Sequence, residues 1–168
     1  MPLAPMASLA LLLLAVPPFA QPGPPPERMT PAGLTLRALF SARIIQGPQG
    51  IAAKPLFLIE ALSQEGTATL RDAYAYRAGP AVAVAMLLRN PAGATDWSVE
   101  RAEVREVGTG VALPWPQVWQ ARPMGAEEKE WVVVEVAATQ EQARATYVLV
   151  LWPAGGLPPI TLAGVTFP

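Results

Sequence analysis

The stretch Trp131 to Ala138, WVVVEVAA, constrains this chain's fold more than any other. Successive side chains of a strand point to opposite faces. Val132, Val134 and Val136 therefore share one face, and Trp131, Val133, Glu135 and Ala137 the other. The valines, branched at Cβ, favour a pleated backbone. Glu135, in the middle, places one face toward solvent or a partner charge. The same period of two runs through Ala81 to Arg89, with Val82, Val84, Met86 and Leu88 on one side, and Asn90-Pro91 ends it. Tyr147 to Trp152, YVLVLW, is apolar on both faces and reads as an interior strand, and Thr161 to Phe167 as its hairpin partner across the loop Pro153 to Pro159.

Weaker strands are expected at Ala68 to Arg77, Val99 to Val107 and Pro116 to Gln120, with a turn at Glu106 to Gly110. The expectation is an all-β fold, an immunoglobulin-like β-sandwich of about seven strands with added N-terminal strands. Thr139 to Ala145 offers one short helical turn, with Thr139 and Gln142 spaced as a capping box. Tyr147 then stands at the start of a strand. It reads either as a strand aromatic or as the corner tyrosine of such sandwiches, whose hydroxyl bonds back to the backbone. Leu34 to Leu62 is harder. It reads as two strands about Gly47-Pro48-Gln49-Gly50, or with a short helix in its first half, and Pro55 interrupts the second half.

The N-terminus reads as an address. No charged side chain precedes Glu27, and Ala7 to Val16 is a short apolar run. A membrane-spanning helix needs about 20 apolar residues, so the run fits a secretory signal better. Residues 1–20 are expected to be a signal peptide cut after Ala20, and 21–31 a Pro-rich linker. Residues 32–168 then form a single domain, with 32–67 an N-terminal extension and 68–168 the sandwich. No Lys or Arg precedes the run, and Pro18 sits near the cut. An uncleaved anchor and a misassigned start codon are the competing readings. The expected location is periplasmic or extracellular, with no membrane anchor after cleavage.

Composition narrows the chemistry. The chain has 168 residues, no cysteine and no histidine. That excludes disulfides, thiolate nucleophiles, Ser-His and Cys-His catalysis, and His-ligated zinc. A net charge of −1 gives no basic surplus for nucleic acid or for an anionic membrane. No phosphate-binding glycine loop or nucleophile elbow occurs. Ser41, Ser63 and Ser98 have no histidine to activate them, and no spacing recommends a pair with Lys54 or Lys129. Asp72 and Asp96 are too far apart for a calcium loop. Glu127, Glu128 and Glu130 follow Gly125 and read as a solvated loop, and Glu60 as a strand residue facing solvent or an arginine. No catalytic residue, cofactor or metal is expected. The candidate binding surface is Trp115 and Trp119, with Leu113-Pro114-Trp115-Pro116 as a rigid display loop. The competing reading places these rings, with Trp97 and Trp152, in the core and its ends. Expected partners are another envelope protein or a glycan.

From Tyr74 onward the chain resembles a family of uncharacterised exported proteins expanded in myxobacteria, defined only as a domain of unknown function. The resemblance rests on Tyr76-Arg77, VAVAMLLRNP, Trp97, the VWQ of Val118 to Gln120, the VVVE of Val132 to Glu135, ATYVLVLW and the closing GVTFP. It covers about the last hundred residues, and the segment from Leu34 more weakly. Members are often longer, with an additional N-terminal β-rich region and a helical segment. The resemblance implies export and a compact domain, and no activity. The expected function is a non-catalytic exported binding module of the cell envelope. The alternatives are an assembly subunit using a sheet edge, and a carboxylate-only cell-wall hydrolase built on Glu127, Glu128, Glu130 and Glu135.

Overall fold

The computed structural model describes residues 52–57, 60–62 and 66–168. The expected signal, the linker and the strand or helix over 34–45 lie outside the described residues. The strands are β1 (Ala52–Pro55), β2 (Glu60–Leu62), β3 (Thr69–Ala78), β4 (Ala81–Arg89), β5 (Val99–Glu106), β6 (Gln117–Gln120), β7 (Lys129–Ala137), β8 (Thr146–Pro153) and β9 (Ile160–Thr166). They form a five-stranded sheet, β1-β3-β4-β7-β6, and a four-stranded sheet, β2-β9-β8-β5. Every neighbouring pair is antiparallel. The chain is an all-β sandwich.

One face of each sheet supplies the core. Val82, Val84, Met86 and Leu88 of β4 and Val132, Val134 and Val136 of β7 belong to one buried cluster with Tyr147, Leu149 and Leu151 of β8 and Ile160, Leu162 and Val165 of β9. The alternation that exposed these residues in the sequence is the pleat itself. YVLVLW lies between β9 and β5, the interior position its two apolar faces require. The β3–β4 hairpin closes between Ala78 and Ala81, and Gly79 takes φ 55° there. That left-handed backbone suits the tight turns whose twist matches the strands, and glycine adopts it without steric cost.

The N-terminal extension contributes strands to both sheets. β1 lies at the edge of the larger sheet beside β3, and β2 at the edge of the smaller one beside β9. Pro55 ends β1, and an edge strand tolerates its missing N–H. Lys54 fastens this edge, donating from Nζ to Thr166 Oγ1 at 2.9 Å and to the Phe167 carbonyl at 3.0 Å.

Two polar devices set the loops. The buried Asn90 amide donates to the carbonyls of Thr95, Met124 and Gly125. It joins the β4–β5 loop to the β6–β7 loop, where Trp97 and Met124 form a bridge and are both buried. At the β7–β8 corner the capping box is made in both directions: Thr139 N donates to Gln142 Oε1 at 2.8 Å, and Gln142 N to Thr139 Oγ1 at 3.2 Å. The expected helical turn is a single 3₁₀ turn, Gln142–Arg144. Just beyond it the Tyr147 hydroxyl donates to the Gln142 carbonyl at 2.6 Å.

Candidate binding surface

Trp115 sits in the crossing from β5 to β6, where the chain passes from one sheet to the other. Before the crossing, Val111 to Leu113 runs back along β5: Glu106 N donates to the Val111 carbonyl and Leu113 N to the Val104 carbonyl. This return covers part of the β5 edge. Leu113 is buried and anchors the loop, while Pro114 and Pro116 bracket Trp115 and have no N–H to donate.

Trp115 is 80% exposed, and its backbone has φ 55°. Both facts cost free energy. A left-handed backbone costs an L-residue about 1–2 kcal/mol, and a residue preceding proline is steered toward extended geometry. The ring recovers no burial in return, since Trp115 belongs to neither apolar cluster of the molecule. Gln117 Nε2 donates to its carbonyl at 3.4 Å, fixing the peptide that leads into β6.

Trp119, expected to act with Trp115, has a different place. It lies on β6 opposite Val133 and is half-buried in a second cluster on the outer face of the five-stranded sheet. The cluster's floor is Ala83, Ala85 and Val133, with Tyr76 8% exposed; Tyr74, Trp119 and Trp131 rise around it. Tyr74 and Tyr76 have ring centroids 6.5 Å apart, and Tyr74 and Trp131 6.3 Å, both tilted. The Tyr74 hydroxyl is raised above its ordinary pKa by its hydrogen bond to the Asp72 carboxylate and by that charge. Burial raises Tyr76, with smaller contributions from Tyr74 and Asp72. The signal for this cluster was the second face of each strand, residues 74 and 76, 83 and 85, and 131 and 133; only the register shows that these faces meet.

The remaining tryptophans divide. Trp97 is core, and its indole N–H has no acceptor among the described residues. Trp152 is half-buried under the Arg101 guanidinium, 3.7 Å from the ring centroid.

The glutamates of the β6–β7 loop and the start of β7 stand beside arginines, two of them beside the same one. Glu128 accepts from Arg122 at 2.5 Å and from Gly125 N at 2.9 Å; Glu130 stands 3.8 Å from Arg122, and Glu127 3.8 Å from Arg89. The Arg122 hydrogen bond, then the Gly125 amide, hold Glu128 below the ordinary carboxylate range. Glu135 lies on the outer face of β7, between Ala83 and Gln117 in register. Of Glu60, the backbone pairing with Ala163 is what the structure describes. No protein-family model, curated protein or solved structure matches the chain.

Proposed function

We propose that this chain is a non-catalytic exported module of the cell envelope that binds another macromolecule, a protein or a glycan, through Trp115. The observation that carries the reading is the exposed Trp115 ring on a left-handed backbone between two prolines. Backbone strain of this kind concentrates at functional sites. Tryptophan is enriched among the residues that dominate binding energies. Flanking prolines restrict the backbone that carries the ring, so little backbone freedom is lost on binding.

The sandwich belongs, in this reading, to the immunoglobulin-like class. Taken from β3 to β9, the strand order is first-second-fifth-fourth in one sheet and third-sixth-seventh in the other. That is the partition of constant-type immunoglobulin domains, with β1 and β2 added at the edges. The Tyr147 bond to the Gln142 carbonyl supports the same class, since it spans the corner before the sixth strand. The membership suggested by VAVAMLLRNP, ATYVLVLW and GVTFP agrees with export and with a module that has no catalytic residues. Such sandwiches host many functions, so the argument for binding rests on Trp115 and not on the fold.

The test is retention from native envelope extract on immobilised chain, with Trp115→Ala beside it. The expected result is one specific protein or glycan retained by the wild type and reduced at least tenfold by the variant, at unchanged melting temperature. Protease treatment of the extract separates a protein partner from a glycan. Equal retention by both chains would sink the reading.

A further inference from the structure

The outer face of the four-stranded sheet carries a pattern of its own. Side chains paired across two strands share a face. Register sets Arg101 of β5 opposite Trp152 of β8, Glu103 opposite Val150 and Arg105 opposite Val148. The residues that alternate with them on β8, Tyr147, Leu149 and Leu151, are buried in the core, so these pairs face outward. The result is two lanes side by side, charged on β5 and apolar on β8. Val148, Val150 and Trp152 are each half-buried, and none belongs to either apolar cluster.

A bulge decides which charge lies over the tryptophan. Val99 pairs with Pro153, and the next pair is Arg101 with Trp152. Unbroken register would set Glu100 there. The extra residue puts a cation over the ring in place of a carboxylate, and bulges re-aim side chains in this way. The guanidinium lies 3.7 Å from the ring centroid. Stacking occupies its flat face and leaves the N–H donors in its plane unspent. Among the described residues no carboxylate pairs with Arg101, the adjacent Glu100 included, and its side chain makes no hydrogen bond. Arg105, by contrast, pairs with Glu103 and donates to the Gly110 carbonyl at 2.9 Å. The charged lane thus presents one uncompensated cation, beside an apolar stripe.

We propose that this face docks an extended peptide segment of a partner protein, with one carboxylate of the segment in the Arg101 fork and apolar side chains at alternate positions over Val150 and Val148. The inference does not rest on the role given to Trp115. Charge selects the carboxylate, whose two oxygens accept parallel N–H bonds from a guanidinium. Spacing selects the peptide. Trp152 and Val148 are four residues apart on one strand, about 13 Å, over which an extended chain presents three side chains to one face. A sugar fits less well, because the guanidinium already covers the ring face on which it would stack. A membrane fits less well, because a single unpaired cation gives an anionic surface little hold. A second copy would bring the same unmatched cation to a self-complementary contact.

Display of random peptides against the full chain tests this, with Arg101→Gln and Trp115→Ala as counter-targets. Peptides enriched on the wild type are expected to carry Asp or Glu followed by apolar residues at alternate positions. They should bind Arg101→Gln at least tenfold more weakly and Trp115→Ala unchanged. Arg101→Lys keeps the charge without the fork and should recover only part of the affinity. In the complex the Arg101 Nε–H, the Trp152 indole N–H and the Val148 and Val150 amides should shift, while Ala85 and Val133 on the other sheet stay put. This shift map uses the wild-type chain, so it stands even where a variant is less stable. No enrichment, enrichment without an acidic preference, equal binding to Arg101→Gln, or shifts centred away from β5 and β8 would each overturn the proposal. So would a stronger response of the same signals to oligogalacturonate, which would make the occupant an acidic glycan. Sedimentation with phosphatidylglycerol vesicles that Arg101→Gln abolishes would make it a membrane and overturn the proposal as well.

Discussion

Replacing Asn90 tests how the loops hold Trp97 in the core. Asn90 is 1% exposed, and its Nδ2 lies 2.9 Å from the Thr95 carbonyl, 3.1 Å from that of Met124 and 3.3 Å from that of Gly125. A side-chain amide has two N–H donors, so three acceptors amount to two hydrogen bonds with one shared. Leaving a buried acceptor unpaired costs about 1–3 kcal/mol. Asn90→Ala should therefore cost about 2–4 kcal/mol, allowing for partial rescue by water. At roughly 4 °C per kcal/mol for a domain of this size, the melting temperature falls by some 8–16 °C. Asn90→Asp keeps the shape, removes the donors and sets a charge against carbonyl oxygens. It should be worse than alanine at pH 7. The buried carboxylate's folded pKa then lies above its unfolded value, so the added loss is full at neutral pH and shrinks as pH falls through that raised pKa. Calorimetry at pH 7 and pH 4 decides the matter. An Asn90→Asp chain as stable as wild type at pH 7 would refute the reasoning.

Tyr147→Phe removes the bond to the Gln142 carbonyl and should cost about 1 kcal/mol, read by urea unfolding; no loss would mean that water replaces the hydroxyl. Burial, then Glu106, raises the Tyr147 pKa above its ordinary 10.0, and burial raises Tyr76 as well. The unfolded chain then ionises first, so their contribution is full below pH 10 and lost as pH rises beyond it. Tyr147→Phe should flatten that alkaline limb of the melting profile. The lowered Glu128 gives the opposite limb: its contribution is full at neutral pH and lost as pH falls below the ordinary carboxylate value of 4.5, a dependence that Arg122→Gln should weaken. Trp115→Gly, which relaxes the left-handed backbone, should leave the melting temperature at or above that of wild type while abolishing retention of the partner.

Local patterns carried most of the fold. WVVVEVAA and VAVAMLLR announce their strands because the pleat writes its period directly into the residues. The capping box was legible because Thr139 and Gln142 satisfy each other across three residues. The division of 52–62 between the two sheets was not legible, because strands as short as AAKP and EAL carry no information about which edge they join. The aromatic cluster was hidden for a related reason. Ala85 meets Val133 only through the pairing of β4 with β7, strands far apart in sequence, and that contact leaves no trace in local spacing. Trp115 and Trp119, neighbours in sequence, have different surroundings in the structure. Trp119 packs into the outer-face cluster from β6, whereas Trp115, in the crossing before it, is exposed and belongs to neither cluster.

That separation is why the two aromatic features call for different explanations. Tyr74, Tyr76, Trp119 and Trp131 shield one another and a floor of small residues, so each ring has a stabilising reason to be where it is. Removing one should lower the melting temperature, and a loss of binding in such a variant would be hard to separate from a loss of structure. Trp115 has no such reason. Its ring is exposed and its backbone is strained. Replacing it should cost the fold nothing, so whatever its removal abolishes is attributable to the ring itself. A site whose loss is neutral to folding is therefore the sharpest discriminator between a binding module and a purely structural one.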